Sequence, residues 1–265
     1  MTVKADLRND DPEPPTHARQ YMGVRLRVLG SSPAWPNPGQ AHAGYVIAER
    51  LAEGPRLLLE CGPGVLSRLR EHELLPVETT VISHLHLDHW GDLVPWCWLA
   101  QHRPESGALG TELWLPPGAA ARLAQFARLF GREDMFTSTF AVREYAPERP
   151  FRAAGFEIEA YAVPHFNEPT FALRVQGADG RALAFSADSA PSEVLTRVAR
   201  SADLFVCEAT LASAADEGTR GGHLSAEEAV ALAGPTRLLL THRPAELAPP
   251  PGVEVARDGL ELSIG

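Results

Sequence analysis

The densest chemistry in this 265-residue chain lies in Ser83-His84-Leu85-His86-Leu87-Asp88-His89-Trp90, where four side chains able to bind a metal fall within six residues. The run follows a strand-like stretch, Thr80-Val81-Ile82. At an extended strand end His84 and His86 fall on the same side, because side chains alternate, and a turn after them swings Asp88 and His89 toward a second nearby point. The spacing therefore suits two adjacent metals better than one. Three of the ten histidines of the chain are spent here with an aspartate between them. As mere loop polarity the pattern makes little sense, since the alternation with Leu85 and Leu87 would bury the histidines or waste the leucines.

H-x-H-x-D-H resembles the signature of the metallo-β-lactamase superfamily, and the resemblance extends over nearly everything after Tyr21. It implies a later histidine after a strand, which Val163-Pro164-His165 supplies, and an aspartate shared by both metals, for which Phe185-Ser186-Ala187-Asp188-Ser189 is similar to the family motif. Leu238-Leu239-Leu240-Thr241-His242 fits as the last histidine, at the end of a β-like run. By this resemblance His84, His86 and His165 would hold one metal, Asp88, His89 and His242 the other, and Asp188 would bridge them. Leu59-Glu60-Cys61-Gly62 resembles a further family segment, with Glu60 where aspartate is common; its carboxylate is expected either to support the site from behind or to be a solvated turn residue.

Histidine and carboxylate donors without a thiolate suit Zn²⁺, Mn²⁺ or Fe, with zinc the first expectation. Two metals ~3.5 to 4 Å apart lower the pKa of a shared water, orient the resulting hydroxide and stabilise charge growing on the substrate, so hydrolysis is the economical inference. That chemistry alone leaves phosphodiesters, thioesters, lactones and β-lactams open.

Two motifs between Asp188 and His242 narrow the choice: Cys207-Glu208-Ala209-Thr210 and Gly221-Gly222-His223-Leu224-Ser225. Glu208 could merely end a strand, and His223 could precede a helix whose N-cap is Ser225, with Glu228 completing a capping box. In this order, however, the pair resembles the ribonuclease Z-like phosphodiesterase branch, in which the glutamate and histidine assist leaving-group departure. The expected catalytic set is thus Asp88, Glu208 and His223. Only 22 residues separate His165 from Asp188, which leaves no room for the substrate-gripping arm of bacterial-type ribonuclease Z. The opening Leu29-Gly30-Ser31-Ser32-Pro33-Ala34-Trp35 instead looks like the armless bacterial group that includes cyclic-nucleotide phosphodiesterases. A small phosphodiester such as cyclic AMP is the expected substrate, with a lactonase, a thioesterase or a ribonuclease Z-like RNA endonuclease as alternatives.

Composition agrees with a small-molecule partner. The chain is 45% hydrophobic, enough for a sizeable core, and its 34 acidic against 24 basic residues give a net charge of −10, which disfavours a long phosphate backbone. The first residues carry no apolar core of a secretory signal, and the longest apolar run, residues 93–100, falls far short of the ~20 needed to span a bilayer. Cys61, Cys97 and Cys207 form no C-x-x-C and are expected as buried small hydrophobes rather than ligands or disulfides. A soluble, cytoplasmic protein is the expectation; a homodimer is compatible with it.

The elements that must position these groups follow from the pattern of apolar runs and punctuation. Residues 1–20 are polar and Pro-rich and read as a poorly ordered tail, with one domain over 21–265. Strand signals fall at 24–29, 44–48, 56–59, 80–83, 114–116, 156–163, 170–176, 181–185, 204–207 and 237–240, and helix signals at 65–73, after Trp90, from Pro117-Gly118 to Phe130, from Pro191 and from Ser225. Two groups of strands with helices among them give an α/β (α+β) class: a four-layer αββα sandwich of two mixed sheets flanked by helices. Trp96 and Trp98 are expected in the core, whereas Trp35 and Trp90 flank the expected site loops and could equally pack or wall the site. Arg174 and Arg243 are expected to face solvent.

Overall fold

The computed structural model describes residues 23–51, 54–216 and 221–265; the tail expected at 1–20 lies outside these. The first half builds a sheet from β1 (Arg25–Gly30), β2 (Gly44–Ala48), β3 (Leu57–Leu59), β4 (Thr79–Val81), β5 (Glu112–Leu115) and β6 (Ala141–Glu144), closed at its other edge by the C-terminal β14 (Glu261–Ser263). The second sheet runs in the order β13 (Glu254–Val255), β12 (Arg237–Thr241), β11 (Leu204–Glu208), β10 (Ala182–Phe185), β9 (Thr170–Gln176), β8 (Phe156–Val163) and β7 (Phe151–Ala153). Both sheets are mixed. Pairing is antiparallel for β1–β2 and β2–β3 but parallel from β3 to β6, and antiparallel from β7 to β10 but parallel from β10 to β13.

Side-chain alternation sorts each strand between two cores. Tyr45, Ile47, Leu57 and Leu59 face inward and meet Ile158, Leu173, Leu183, Val206 and Leu239 of the opposite sheet. Their neighbours Val46 and Leu58 face outward and pack beneath α1 (Val65–Glu71), α3 (Leu93–His102) and α4 (Ala119–Arg128) through Val65, Leu69, Trp96 and Leu123. The second sheet's outer face, with Ala184, Phe205 and Leu240, is covered by Leu195 and Val198 of α5 (Glu193–Arg200) and Ala229 of α6 (Ala226–Ala233). Strands buried on both faces explain the near-continuous apolar runs in the sequence, and the result is the four-layer αββα sandwich.

Some elements differ from the sequence reading. Strands β6, β7, β13 and β14 lie at sheet edges, and β6 is largely exposed, so no alternation marks it. The helix expected to begin at Pro191 instead has Ser192 as N-cap, its hydroxyl accepting from the Leu195 amide at 3.1 Å, which leaves Pro191 outside. Ser225 caps α6 with Glu228 in a reciprocal capping box, as expected. Trp96 is fully buried, but Trp98 is 39% exposed: two residues along α3 is ~200° of rotation, so the two cannot share a face. Trp98 instead stacks on His102 and lies under the Arg132 guanidinium.

Candidate metal centre

β8, β10, β11 and β12 run in one direction, and the segments that follow or end them gather at one rim of the sandwich: His165 after β8, Asp188 after β10, Glu208 at the end of β11 and His242 after β12. Across the groove, β3 and β4 deliver Glu60 and the loop that begins at His84. That loop ends in a single helical turn, α2 (Leu87–Trp90), which turns Asp88 and His89 away from His86. The expected strand end is thus short, and the turn after it separates the two pairs of donors.

The seven expected ligand residues converge as two groups sharing Asp188: His84, His86, His165 and Asp188, and Asp88, His89, Asp188 and His242. Within each group the donor atoms lie within 4.8 Å of one another. His165 Nε2 and His86 Nδ1 are 2.9 Å apart, His242 Nε2 is 3.0 Å from Asp88 Oδ2, and His89 Nε2 is 3.3 Å from Asp88 Oδ2 and 3.4 Å from Asp188 Oδ1. Yet His84 Nε2, His89 Nε2 and Asp188 Oδ1 are buried with no hydrogen-bond partner. Buried polar atoms are nearly always satisfied, so close but misaligned orphans aimed at common points are what a metal-binding donor set requires. The residues present fit two divalent cations.

The far side of each ring fixes which nitrogen is free. His165 Nδ1 donates to the Gly222 carbonyl at 2.6 Å, leaving Nε2 to face the group. Thr210 Oγ1 lies 2.9 Å from both His242 Nδ1 and the His242 carbonyl; its proton goes to the carbonyl, so it accepts from Nδ1–H. Ser83 Oγ contacts His84 Nδ1 at 2.9 Å, and Glu60 Oε2 stands 3.4 Å from His89 Nδ1 while its other oxygen accepts the Ser83 amide. Glu60 is fully buried, so it is a support and not a solvated turn carboxylate. Thr210, Ser83 and Gly222 each lay in a motif quoted from the sequence, but without a role assigned to them.

Burial and close charges compete at the site. It would push Asp88 and Asp188 up, but His89 and His242 outweigh it and hold both carboxyls well below their usual range. Burial, with His89 adding to it, keeps His84 low, and burial lowers His165 against the pull of Asp188. His89 goes the other way: desolvation opposes its charge, but Asp188 and Asp88 together raise it well above an ordinary imidazole. Two buried carboxylates thus create a potential that draws positive charge to the point between them.

His223 and Glu208 border this cluster. His223 Nδ1 is 2.9 Å from Glu208 Oε1 and 4.0 Å from Asp188 Oδ2, and its ring lies between those of His165 and His242. Burial would lower His223, but the Glu208 contact more than compensates and raises it. Glu208, His223 and His242 also form a third compact group. Both Glu208 oxygens are already engaged, however: Oε1 accepts the Ser189 amide and Oε2 the Thr210 amide, so its geometry is that of an orienting carboxylate.

The remaining expectations sort themselves around the rim. Trp90 does not wall the site; it is buried, donates to the Leu85 carbonyl at 3.1 Å and packs edge-on against Phe126, bracing the metal loop from behind. Trp35 is half exposed. Arg174 bonds the Ser201 carbonyl and Gln176 near the surface, but Arg243, expected in solvent, is 8% exposed and donates to the Ala248 carbonyl. Cys61, Cys97 and Cys207 are buried and free. Among the described residues no helix is long and apolar enough to cross a membrane.

Comparison with known proteins agrees with this architecture. A family model described as a beta-lactamase superfamily domain matches residues 55–243, a span holding all seven converging residues. An uncharacterized protein of Mycobacterium tuberculosis, Rv1339, is 34% identical over 230 residues, 84% of this chain and 82% of its own length. The probable metallo-hydrolase YhfI of Bacillus subtilis is 30% identical over 231 residues, 83% and 87% of the two chains. Its crystal structure superposes with a TM-score of 0.74 at 24% identity, covering 91% of this chain and 99% of that one. The short form of human tRNase Z gives 0.72, again at 24% identity, with 91% and 99% covered. The chain belongs to the beta-lactamase superfamily and is a metallo-hydrolase of the metallo-β-lactamase fold.

Proposed function

We propose that this protein is a phosphodiesterase acting on a small phosphodiester such as a cyclic nucleotide, with His84, His86, His165 and Asp188 holding one divalent metal and Asp88, His89, Asp188 and His242 the other, zinc being the first choice. The observation that carries the reading is the His223–Glu208 pair, 2.9 Å apart at the edge of the donor cluster. The two metals would supply Lewis acidity and an activated water. The chain supplies the rest.

With Nδ1 bound to Glu208, His223 keeps Nε2 free to donate a proton. An alkoxide is a poor leaving group at neutral pH, so breaking its P–O bond while water oxygen bonds to phosphorus needs that proton on the departing oxygen. Glu208 orients the imidazole and favours its charged form, and Asp88 and Asp188 supply the negative charge that holds the cations. The 22 residues between His165 and Asp188 are taken up by a tight turn, β9 and β10, which supports a substrate needing no inserted arm. The net charge of −10 supports a small partner over a long nucleic acid.

The test is a substrate panel with metal-reconstituted protein: bis-p-nitrophenyl phosphate, 2′,3′- and 3′,5′-cyclic nucleotides, a tRNA precursor, a lactone and a thioester. Highest kcat/KM is expected on a cyclic nucleotide. Efficient 3′-trailer removal without cyclic-nucleotide turnover, or turnover confined to the lactone or thioester, overturns the assignment.

A further inference from the structure

Phe166 is a large aromatic side chain left 52% exposed at the rim of the donor cluster. Single exposed apolar residues are ordinary, so exposure alone says nothing. Here three constraints hold the ring in place. Its backbone adopts φ 48°, a left-handed conformation that bulky side chains avoid. The turn carrying it is anchored on both sides: the Phe166 amide donates to the Gly221 carbonyl at 3.1 Å, the Glu168 amide to the His165 carbonyl at 3.0 Å, and the Glu168 carboxylate accepts from the Leu85 amide and from Arg122. Finally, the ring rests on Gly222, where a β-carbon would lie 2.2 Å from Phe166 Cε2, so any other residue would dislodge it.

The ring is also tied to the reacting groups. It packs against His165 at 5.0 Å between centroids and meets His223 at 5.7 Å, close to edge-on. An aromatic residue fixed in a strained backbone beside the proton donor, with half its surface free, offers a face for a flat ring of the substrate. In a nucleoside cyclic phosphate the base is carried by the same ribose as the diester. A platform one residue from His165 is within its reach.

We propose that Phe166 is the stacking platform for the nucleobase of the substrate, which makes nucleotide diesters the preferred class; this rests on the phosphodiesterase reading above. Stacking acts on ground state and transition state alike, so Phe166→Ala raises KM far more than it lowers kcat. The loss expected from one base–aromatic contact is roughly 5- to 100-fold in kcat/KM.

The experiment uses metal-loaded protein with 2-aminopurine riboside 5′-monophosphate as a fluorescent binding probe, and with 3′,5′-cyclic AMP and a base-free methyl riboside 3′,5′-cyclic phosphate as substrates. Wild type is expected to quench the probe and to prefer cyclic AMP. Phe166→Tyr keeps both properties, whereas Phe166→Ala and Phe166→Leu lose the quenching and most of the preference. A loss equal on both substrates, or recovery by Leu as complete as by Tyr, makes Phe166 a packing residue and overturns the platform. Quenching by a wild type that cleaves no phosphodiester sinks the phosphodiesterase reading while supporting the platform; cleavage of both diesters with equal efficiency and without quenching sinks the platform alone.

Discussion

Gly62 supports the metal loop at a distance no other residue could keep: a β-carbon on it would lie 2.0 Å from the Asp88 carbonyl oxygen and 2.7 Å from the His42 β-carbon. The neighbouring Cys61 amide donates to the His89 carbonyl at 2.6 Å, and the Asp92 amide to the Cys61 carbonyl at 3.0 Å, so the turn after β3 and the α2 turn are stitched together. Gly62→Ala must therefore push Asp88 and His89 outward. Overpacking of this kind costs about 1–3 kcal/mol. The expected result is a lowered Tm, together with preferential loss of the metal proposed for Asp88, His89 and His242, read by metal analysis. Unchanged stability and full metal content would show that the contact is relieved elsewhere.

Metal analysis of freshly reconstituted protein should give two ions per chain, falling toward one in His89→Ala and in His242→Ala. Because a bound ion stabilises only the folded state, a chelator should lower Tm, and it should lower it less in these variants than in wild type. A wild-type stoichiometry near one, untouched by either substitution, would remove the second site.

Thr210 sets the tautomer of His242 by accepting its Nδ1–H at 2.9 Å while donating to its carbonyl. Thr210→Val keeps the shape and removes both bonds. Losses of such supporting hydrogen bonds typically cost ~10- to 100-fold in metal affinity. Competition with a chelator of known strength should register that loss, and Thr210→Ser should recover most of it, since the hydroxyl and not the methyl carries the interaction.

The donors that converge were legible in the sequence because their chemistry is carried by residue type and spacing: no packing role requires His84, His86, Asp88 and His89 in six positions. Thr210 was not, because a hydroxyl is common and this one acquires its role only when His242, 32 residues away in sequence, arrives beside it; Ser83 adjoins its partner His84, but nothing in a serine's type marks which neighbour its hydroxyl will meet. Gly222 contributes a carbonyl, which every residue has. The fold divides similarly. Strands buried on both faces, such as β2 and β11, announce themselves by unbroken apolar runs, whereas the short edge strand β13, half-exposed and paired through two residues, has no pattern to read.

The pH profile should expose the Glu208–His223 pair. A general acid works while protonated and fails as pH rises through its pKa. Glu208 raises His223 above an ordinary imidazole, against burial that would lower it, so the alkaline limb of kcat/KM on a cyclic nucleotide should lie correspondingly high. Glu208→Gln removes the charge and keeps the shape; the limb should then move to lower pH. A limb that stays put would assign it to another group.

His223→Ala should have a signature that depends on the leaving group. On a cyclic nucleotide or alkyl diester, whose alkoxide needs a proton, loss of general-acid help should slow turnover by ~10² to 10⁴-fold. On bis-p-nitrophenyl phosphate the phenolate departs without one, so the loss should be much smaller. Metal content decides how either loss is read, since His223 Nδ1 lies 2.9 Å from Glu208 and only 4.0 Å from Asp188. With both ions retained, unequal losses identify His223 as the proton donor; equal losses rule that role out. If the substitution also strips a metal, the imidazole belongs with the ligands, and the third compact group it forms with Glu208 and His242 takes on a different meaning.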